Sequence, residues 1–192
     1  MALWRDDIAP VELTSRLIRM RAPIAEDYDS WAKLRSASRN HTSPWEPEWT
    51  QNELTRTAYR KRVRSYERVW REGSGYPFFV FRKADNVLVG ACNLNNVRHG
   101  VLQAADIGYW IGTPYLRRGF AREAVRLIVR YAFSEIGLHR IEAACRLEND
   151  ASKTLLMNMG FQPEGLARQY LKIAGDWRDH EKFALLSSDK WP

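Results

Sequence analysis

The chain is short of cysteine, short of lysine and without a long apolar run, and each shortage excludes something. Only two of its 192 residues are cysteine. Cys92 and Cys145 both lie in alternating apolar stretches, where a reduced thiol acts as a small hydrophobe. A disulfide scaffold is excluded and a reducing compartment is expected. No stretch approaches the ~20 apolar residues of a membrane helix. The opening segment, Met1 to Asp7, puts Arg5, Asp6 and Asp7 where a secretory signal needs its apolar stretch. A soluble, cytoplasmic protein with no membrane partner is expected. Repeats and low-complexity tracts are also missing, so solenoid and linker-rich architectures drop out.

What the chain does have is aromatic residues and arginine. Eight Trp, eight Tyr and seven Phe, in a chain that is 45% hydrophobic, demand a packed core and exclude disorder. The length fits one domain over 1–192. Basic residues number 30 against 23 acidic ones, a formal charge of +7, which points to an acidic partner such as a phosphorylated cofactor, nucleic acid or anionic lipid. Only seven of the 30 are lysine; arginine, which grips phosphates bidentately, carries the rest.

Hydrophobic periodicity divides the chain into alternating elements. Residues 13–21 alternate like an edge strand. A helix is expected over 25–38, a loop from Asn40 to Pro47 around Pro44 and Pro47, and a second helix over 51–72. On that helix Arg56, Arg60, Arg64 and Arg68 recur every four residues, a solvated face or a contact for a polyanion such as RNA. Strands follow over 76–82, 87–97 and 103–111, with a break at Gly112 to Pro114. A helix over 119–136, a strand over 140–147, a helix over 149–159 and two strands within 161–186 turning at Ala174 and Gly175 complete the order. This order implies an α/β fold with one mixed sheet and helices on its faces.

Two helix starts carry the chemistry. At the first, Leu116, Arg117, Arg118, Gly119, Phe120 and Ala121 join a strand to a helix. Their spacing matches neither the phosphate loop of nucleotide hydrolases nor the dinucleotide fingerprint. Small residues at 119 and 121 still let backbone amides face outward at a helix N-terminus, and Arg117, Arg118 and Arg122 add full charges, so a pyrophosphate would be held there. The second start offers Asn149 as an N-cap and Ser152 as a first-turn hydroxyl. If the strands before the two helices lie side by side, Asn149 and Ser152 border the first loop.

These residues resemble the GNAT acetyltransferases, whose acetyl-CoA loop reads Gln or Arg, two residues, Gly, one residue, Gly or Ala. Within that family the chain is similar to the RimJ group of ribosomal-protein alanine N-acetyltransferases. The matching stretches are Ser43 to Pro47, Cys92 to Val97, Ile107 to Gly112, His139 to Ile141 and Gly175 to His180. The resemblance implies a GNAT fold: a single mixed, mostly antiparallel sheet of six to seven strands, with the cofactor between the fourth and fifth. Tyr109, Trp110 and Ile111 would hold the pantetheine arm through their backbone, with one amide of that strand polarising the thioester carbonyl. Arg117, Arg118, Gly119, Phe120, Ala121 and Arg122 would hold the pyrophosphate. Asn149 and Ser152 would sit near the sulfur, and no metal is expected. Leu116 stands where the family loop opens with a polar residue, which leaves that position its backbone. Leu156 stands where many members carry the tyrosine that protonates the departing thiolate, so Ser152 becomes the expected proton donor, directly or through water.

An α-amino group has a pKa of about 7.7 to 8.0 against about 10.4 for lysine, so an N-terminal acceptor tolerates a weaker base. Asp106, on the cofactor strand, and Glu46, in the loop over the acceptor, are the expected bases; His139 and His180 are read as structural. The resemblance implies direct acetyl transfer to a protein N-terminus, that of an Ala- or Ser-starting ribosomal protein. The alternatives are acetylation of a small amine, such as a polyamine or antibiotic, and a basic RNA-binding module with residual CoA binding.

Overall fold

The computed structural model describes residues 11–192, so the opening segment Met1 to Asp7 lies outside the described residues. Eight strands form one sheet: β1 (Glu12–Thr14), β2 (Ile18–Arg21), β3 (Tyr76–Arg82), β4 (Val87–Arg98), β5 (Ala104–Ile111), β6 (Arg140–Arg146), β7 (Gln162–Ile173) and β8 (Asp176–Leu186). Their spatial order is β1-β2-β3-β4-β5-β6-β8-β7. Neighbours are antiparallel except β5 and β6. Among the described residues four helices accompany the sheet: α1 (Tyr28–Thr42), α2 (Arg56–Glu72), α3 (Phe120–Ser134) and α4 (Asp150–Asn158). Helix α3 makes the long crossover that a parallel pair requires.

The sheet has one strand more than the upper expectation because 13–21 is a hairpin rather than a single strand. Ser15 Oγ accepts hydrogen bonds from the amides of Leu17 and Ile18, both at 3.2 Å, and turns the chain between β1 and β2. The fourth and fifth strands of the expected count are therefore β5 and β6. Helix α1 runs past 38 into the expected loop. Ser38 and Thr42 lie on its buried side, and Ser38 Oγ accepts from the Thr113 amide at 3.0 Å. A single 3-10 turn at Ser43–Trp45 then ends it. Helix α2 starts at Arg56, not 51, where Thr55 caps it by accepting from the Ala58 amide at 3.2 Å.

Strand alternation builds two cores. Phe78 and Val80 of β3 face α3 and pack with Ala124, Ile128 and Tyr131, while Phe79 and Phe81 face α1 and α2 and pack with Trp31, Leu34, Tyr59 and Val63. At Gly112 an added Cβ would lie 2.3 Å from Leu34 Cδ1; this glycine lets α1 rest directly on the end of β5.

The feature that creates a site is the short register of the parallel pair. Strands β5 and β6 are paired only from Ala104↔Arg140 to Asp106↔Glu142. Beyond that point β5 stays with β4 as far as Ile111↔Gly90, and β6 stays with β8 as far as Arg146↔His180. Each strand follows its other neighbour, and a gap opens through the sheet at a change of strand order.

Candidate active site

Two adjoining cavities occupy the gap. The larger, about 750 Å³, runs along β5 at Gly108 to Ile111 and meets Leu116 and Ala121 at the start of α3 and Asn149 and Ser152 at the start of α4. The 40–47 segment closes it on the other side. The smaller, about 160 Å³, lies deeper between β5, β6 and β8 and reaches Ala144, Cys145, Arg146 and His180. Trp45, Gly108, Tyr109, Asn149 and Ser152 line both.

At the start of α3 the backbone takes two left-handed residues, Arg117 at φ 57° and Gly119 at φ 80°. The second suits glycine, which has no Cβ to strain. Residues 120–122 open the helix with amides that have no intrahelical acceptor. Arg117, Arg118 and Arg122 are exposed around them, Arg118 lying 6.0 Å from the centre of the Tyr115 ring. Cations and free amides thus converge on one mouth of the cavity, as the spacing predicts.

At the start of α4, Asn149 Oδ1 accepts from the Ser152 amide at 3.1 Å, the N-cap bond expected of it. The Ser152 hydroxyl is 2.7 Å from the Tyr109 hydroxyl and 3.2 Å from Cys145 Sγ. Only the backbone of Tyr109 was expected to matter; its side chain reaches across the gap to fix the serine. Strand alternation could have shown this, since Tyr109 shares its face with Ile107 and Ile111, the face that α4 covers. Burial pushes the Tyr109 phenol above its usual range, against the pull of its Ser152 hydrogen bond. Burial also pushes the Cys145 thiol up, so it is a protonated packing group rather than a nucleophile. Leu156 is fully buried behind them.

The two expected bases are both tied up by cations. Glu46 lines the larger cavity, but Arg35 donates to both its oxygens at 2.8 Å, and Thr42 and Trp49 donate to Oε1 at 3.0 and 2.5 Å. The Arg35 guanidinium lies between the rings of Trp49 and Trp110, 4.6 and 4.9 Å from their centres. Glu46 thus pins the 43–49 segment over the gap, with Oε1 accepting three hydrogen bonds and Oε2 one, and both oxygens held by Arg35. Asp106 lines neither cavity. Its carboxylate accepts from Asn96 at 2.8 Å and from Arg98 at 3.1 and 3.3 Å, and Arg98 also bridges to Glu142 at 2.7 Å. The bulge in β4 between Asn95 and Arg98 makes this reach possible.

His139 is exposed away from the gap, whereas His180 is 3% exposed and lines the smaller cavity. Along α2, Arg56 pairs with Asp29 at 2.9 Å and lies over Tyr28, while Arg60, Arg64 and Arg68 are exposed. No helix among the described residues is long and apolar enough to cross a membrane.

The chain matches the acetyltransferase (GNAT) domain family over residues 17–162. It is 31% identical over 191 residues to the [ribosomal protein uS5]-alanine N-acetyltransferase of Escherichia coli, covering 98% of this chain and 97% of that one. It is similar in structure to RimJ of Mycobacterium smegmatis, solved in complex with CoA-disulfide, with TM-score 0.84 and 32% identity over 96% of this chain and 89% of that one. A ribosomal-protein-S5-alanine acetyltransferase from Vibrio fischeri superposes with TM-score 0.86 at 27% identity, covering 95% of this chain and all of the other. A gap between splayed parallel strands, a cationic helix start at one mouth and these matches over nearly the whole length lead to one assignment: the chain belongs to the GNAT family of acetyl-CoA-dependent acetyltransferases, related to the ribosomal-protein N-acetyltransferases.

Proposed function

We propose that the protein acetylates the α-amino group of a protein N-terminus, that of an Ala- or Ser-starting ribosomal protein, by direct transfer with both substrates bound. The observation that carries this reading is the gap itself, open at the α3 start and covered by the pinned 43–49 segment on the opposite side. Acetyl-CoA supplies the activated acetyl group as a thioester. Arg117, Arg118, Arg122 and the amides of residues 119–121 suit its pyrophosphate. The edge of β5 beyond Asp106, unpaired with β6, offers Trp110 and Ile111 main-chain groups to the pantetheine amides and one N–H to the thioester oxygen. Asn149 and Ser152 then border the sulfur, with Ser152 positioned to give it a proton.

Direct transfer is supported by the two thiols. Cys92 is fully buried, and burial pushes the Cys145 thiol up, so neither offers the thiolate an acyl-enzyme would need. An N-terminal acceptor is favoured over a polyamine because, among the described residues, Glu46 is the one carboxylate lining the larger cavity, and it is paired with Arg35. A polycation would find no free acid there. The similarity to a uS5-alanine N-acetyltransferase adds the substrate class. The test is release of free thiol from acetyl-CoA with Ala- and Ser-starting peptides, the same peptides blocked at the α-amine, lysine peptides and spermidine. Turnover confined to free α-amines is expected. Turnover confined to spermidine or lysine, or none with tight RNA binding, would reject the reading.

A further inference from the structure

With Glu46 and Asp106 committed to arginines, the acceptor side of the gap still needs a group that can take a proton. We infer that His180 is that group: its Nε2 receives the proton from the acceptor amine, on the face of the sheet opposite Ser152. This inference rests on the acyl-transfer reading above.

Four observations carry it. Strand alternation puts Phe183 and Leu185 of β8 in the α3 core and His180 on the other face, beside Arg146 of β6, its register partner. Cys145 and Tyr109 face α4, so the smaller cavity passes through the sheet from Ser152 on one side to His180 and Trp45 on the other. The ring is held in one orientation. Nδ1 lies 2.9 Å from the Arg178 carbonyl oxygen, which can only accept, so Nδ1 carries a hydrogen, and in the neutral ring Nε2 then keeps its lone pair. Tyr170 packs edge-on against the ring at 5.9 Å. Finally, among the described residues that line this cavity there is no carboxylate. The Arg178 carbonyl and the Tyr170 ring contact the imidazole, Lys182 donates to the Tyr170 hydroxyl, and Arg146, Tyr109 and Cys145 share the cavity lining with His180. With no acid to share the role, His180 is the base that this lining offers.

The proton count closes. Starting from the neutral amine, the nitrogen lone pair forms the bond to the acetyl carbon and the carbon–sulfur bond breaks. Nε2 takes one N–H proton while the Ser152 hydroxyl gives one to sulfur. Water in the gap returns the imidazolium proton to Ser152, so one N–H is exchanged for one S–H. The two faces of the sheet thereby divide the work, with deprotonation on the β8 side and protonation on the α4 side.

The test uses H180N, whose amide keeps a donor near the Nδ1 position for the Arg178 carbonyl but offers no base. With whichever α-amine peptide the wild type turns over, kcat should fall by about 10²-fold, the usual contribution of a positioned base. Calorimetric CoA affinity and the thermal midpoint should stay near wild type. Imidazole nitrogen NMR of the free protein should show the Nδ1–H tautomer, independently of turnover. An Nε2–H tautomer or a kcat within threefold of wild type would overturn the assignment. Absence of wild-type turnover on every amine rejects the acyl-transfer reading first and takes the base with it, an outcome seen before any variant is made.

Discussion

The two sides of the gap are built on opposite principles. On the α4 side the polar groups are neutral and bonded to one another: Asn149 to the Ser152 amide, Tyr109 and Cys145 to the Ser152 hydroxyl. On the α1 side they are ions in pairs, Arg35 with Glu46 and, further along the sheet, Arg98 with Asp106 and Glu142. Neutral hydroxyls can pass a proton without leaving a charge stranded in a low-dielectric space. Ion pairs hold geometry: each of these carboxylates accepts hydrogen bonds from its arginine. The contrast teaches that a carboxylate at the mouth of a cavity is not thereby a base; its partners decide.

Breaking the neutral side should have the largest effect. S152A removes the group that would protonate the sulfur, and kcat should drop by about 10²-fold, as for loss of a general acid, with little change in CoA affinity. Y109F leaves the serine in place and removes only its tether, so the loss should be smaller, about tenfold. Equal losses in the two variants at unchanged thermal midpoint would mean that Tyr109 rather than Ser152 is the donor. Steady-state kinetics at saturating acetyl-CoA distinguishes the outcomes.

Breaking the charged side should act on binding and stability instead. The Arg35 side chain is 8% exposed and Glu46 23%, and removing one partner of a buried pair costs about 3 to 5 kcal/mol, the lower end suiting Glu46's partial exposure. R35A should lower the thermal midpoint and raise the acceptor KM as the 43–49 segment loosens, leaving kcat within a fewfold. E46Q should retain most of kcat, since Gln keeps the hydrogen bonds to Thr42 and one to Arg35. A loss of kcat in E46Q without a change in acceptor KM or midpoint would restore Glu46 as a base.

The smallest effects sharpen a second contrast, between two sets of arginines that look alike in sequence. Changing Arg117, Arg118 and Arg122 together to glutamine should weaken CoA binding in a salt-dependent way. The same change at Arg60, Arg64 and Arg68 should leave CoA affinity and turnover of free peptide unaltered. Titration calorimetry at two salt concentrations reads both.

How much of this could be seen in the sequence follows from which interactions are local. The α3 and α4 starts were legible because capping and left-handed glycine are decided within a few residues: Asn149 with Ser152, Gly119 with its helix. The strand positions were legible from alternation, down to the turn at Ala174 and Gly175, both of positive φ. The hairpin of β1 and β2 was hidden because Ser15 turns the chain without interrupting the apolar pattern. Partnerships between residues far apart in the chain were also hidden. Nothing local ties Arg35 to Glu46, Arg98 to Asp106 or Tyr109 to Ser152, and those pairings determine which groups stay free to react. His180 read as structural for the same reason, since its cavity is assembled from β5, β6, β8 and α4.

A structure with a peptide–CoA bisubstrate analogue shows whether the gap holds the thioester with its sulfur on the neutral side and the acceptor nitrogen on the other. The sulfur is expected within hydrogen-bond reach of Ser152 Oγ, and the acceptor nitrogen on the β8 face, about 2.6 to 3.2 Å from His180 Nε2 or one water away. An analogue whose nitrogen enters from the α4 side, or whose sulfur lies away from Ser152, would contradict it.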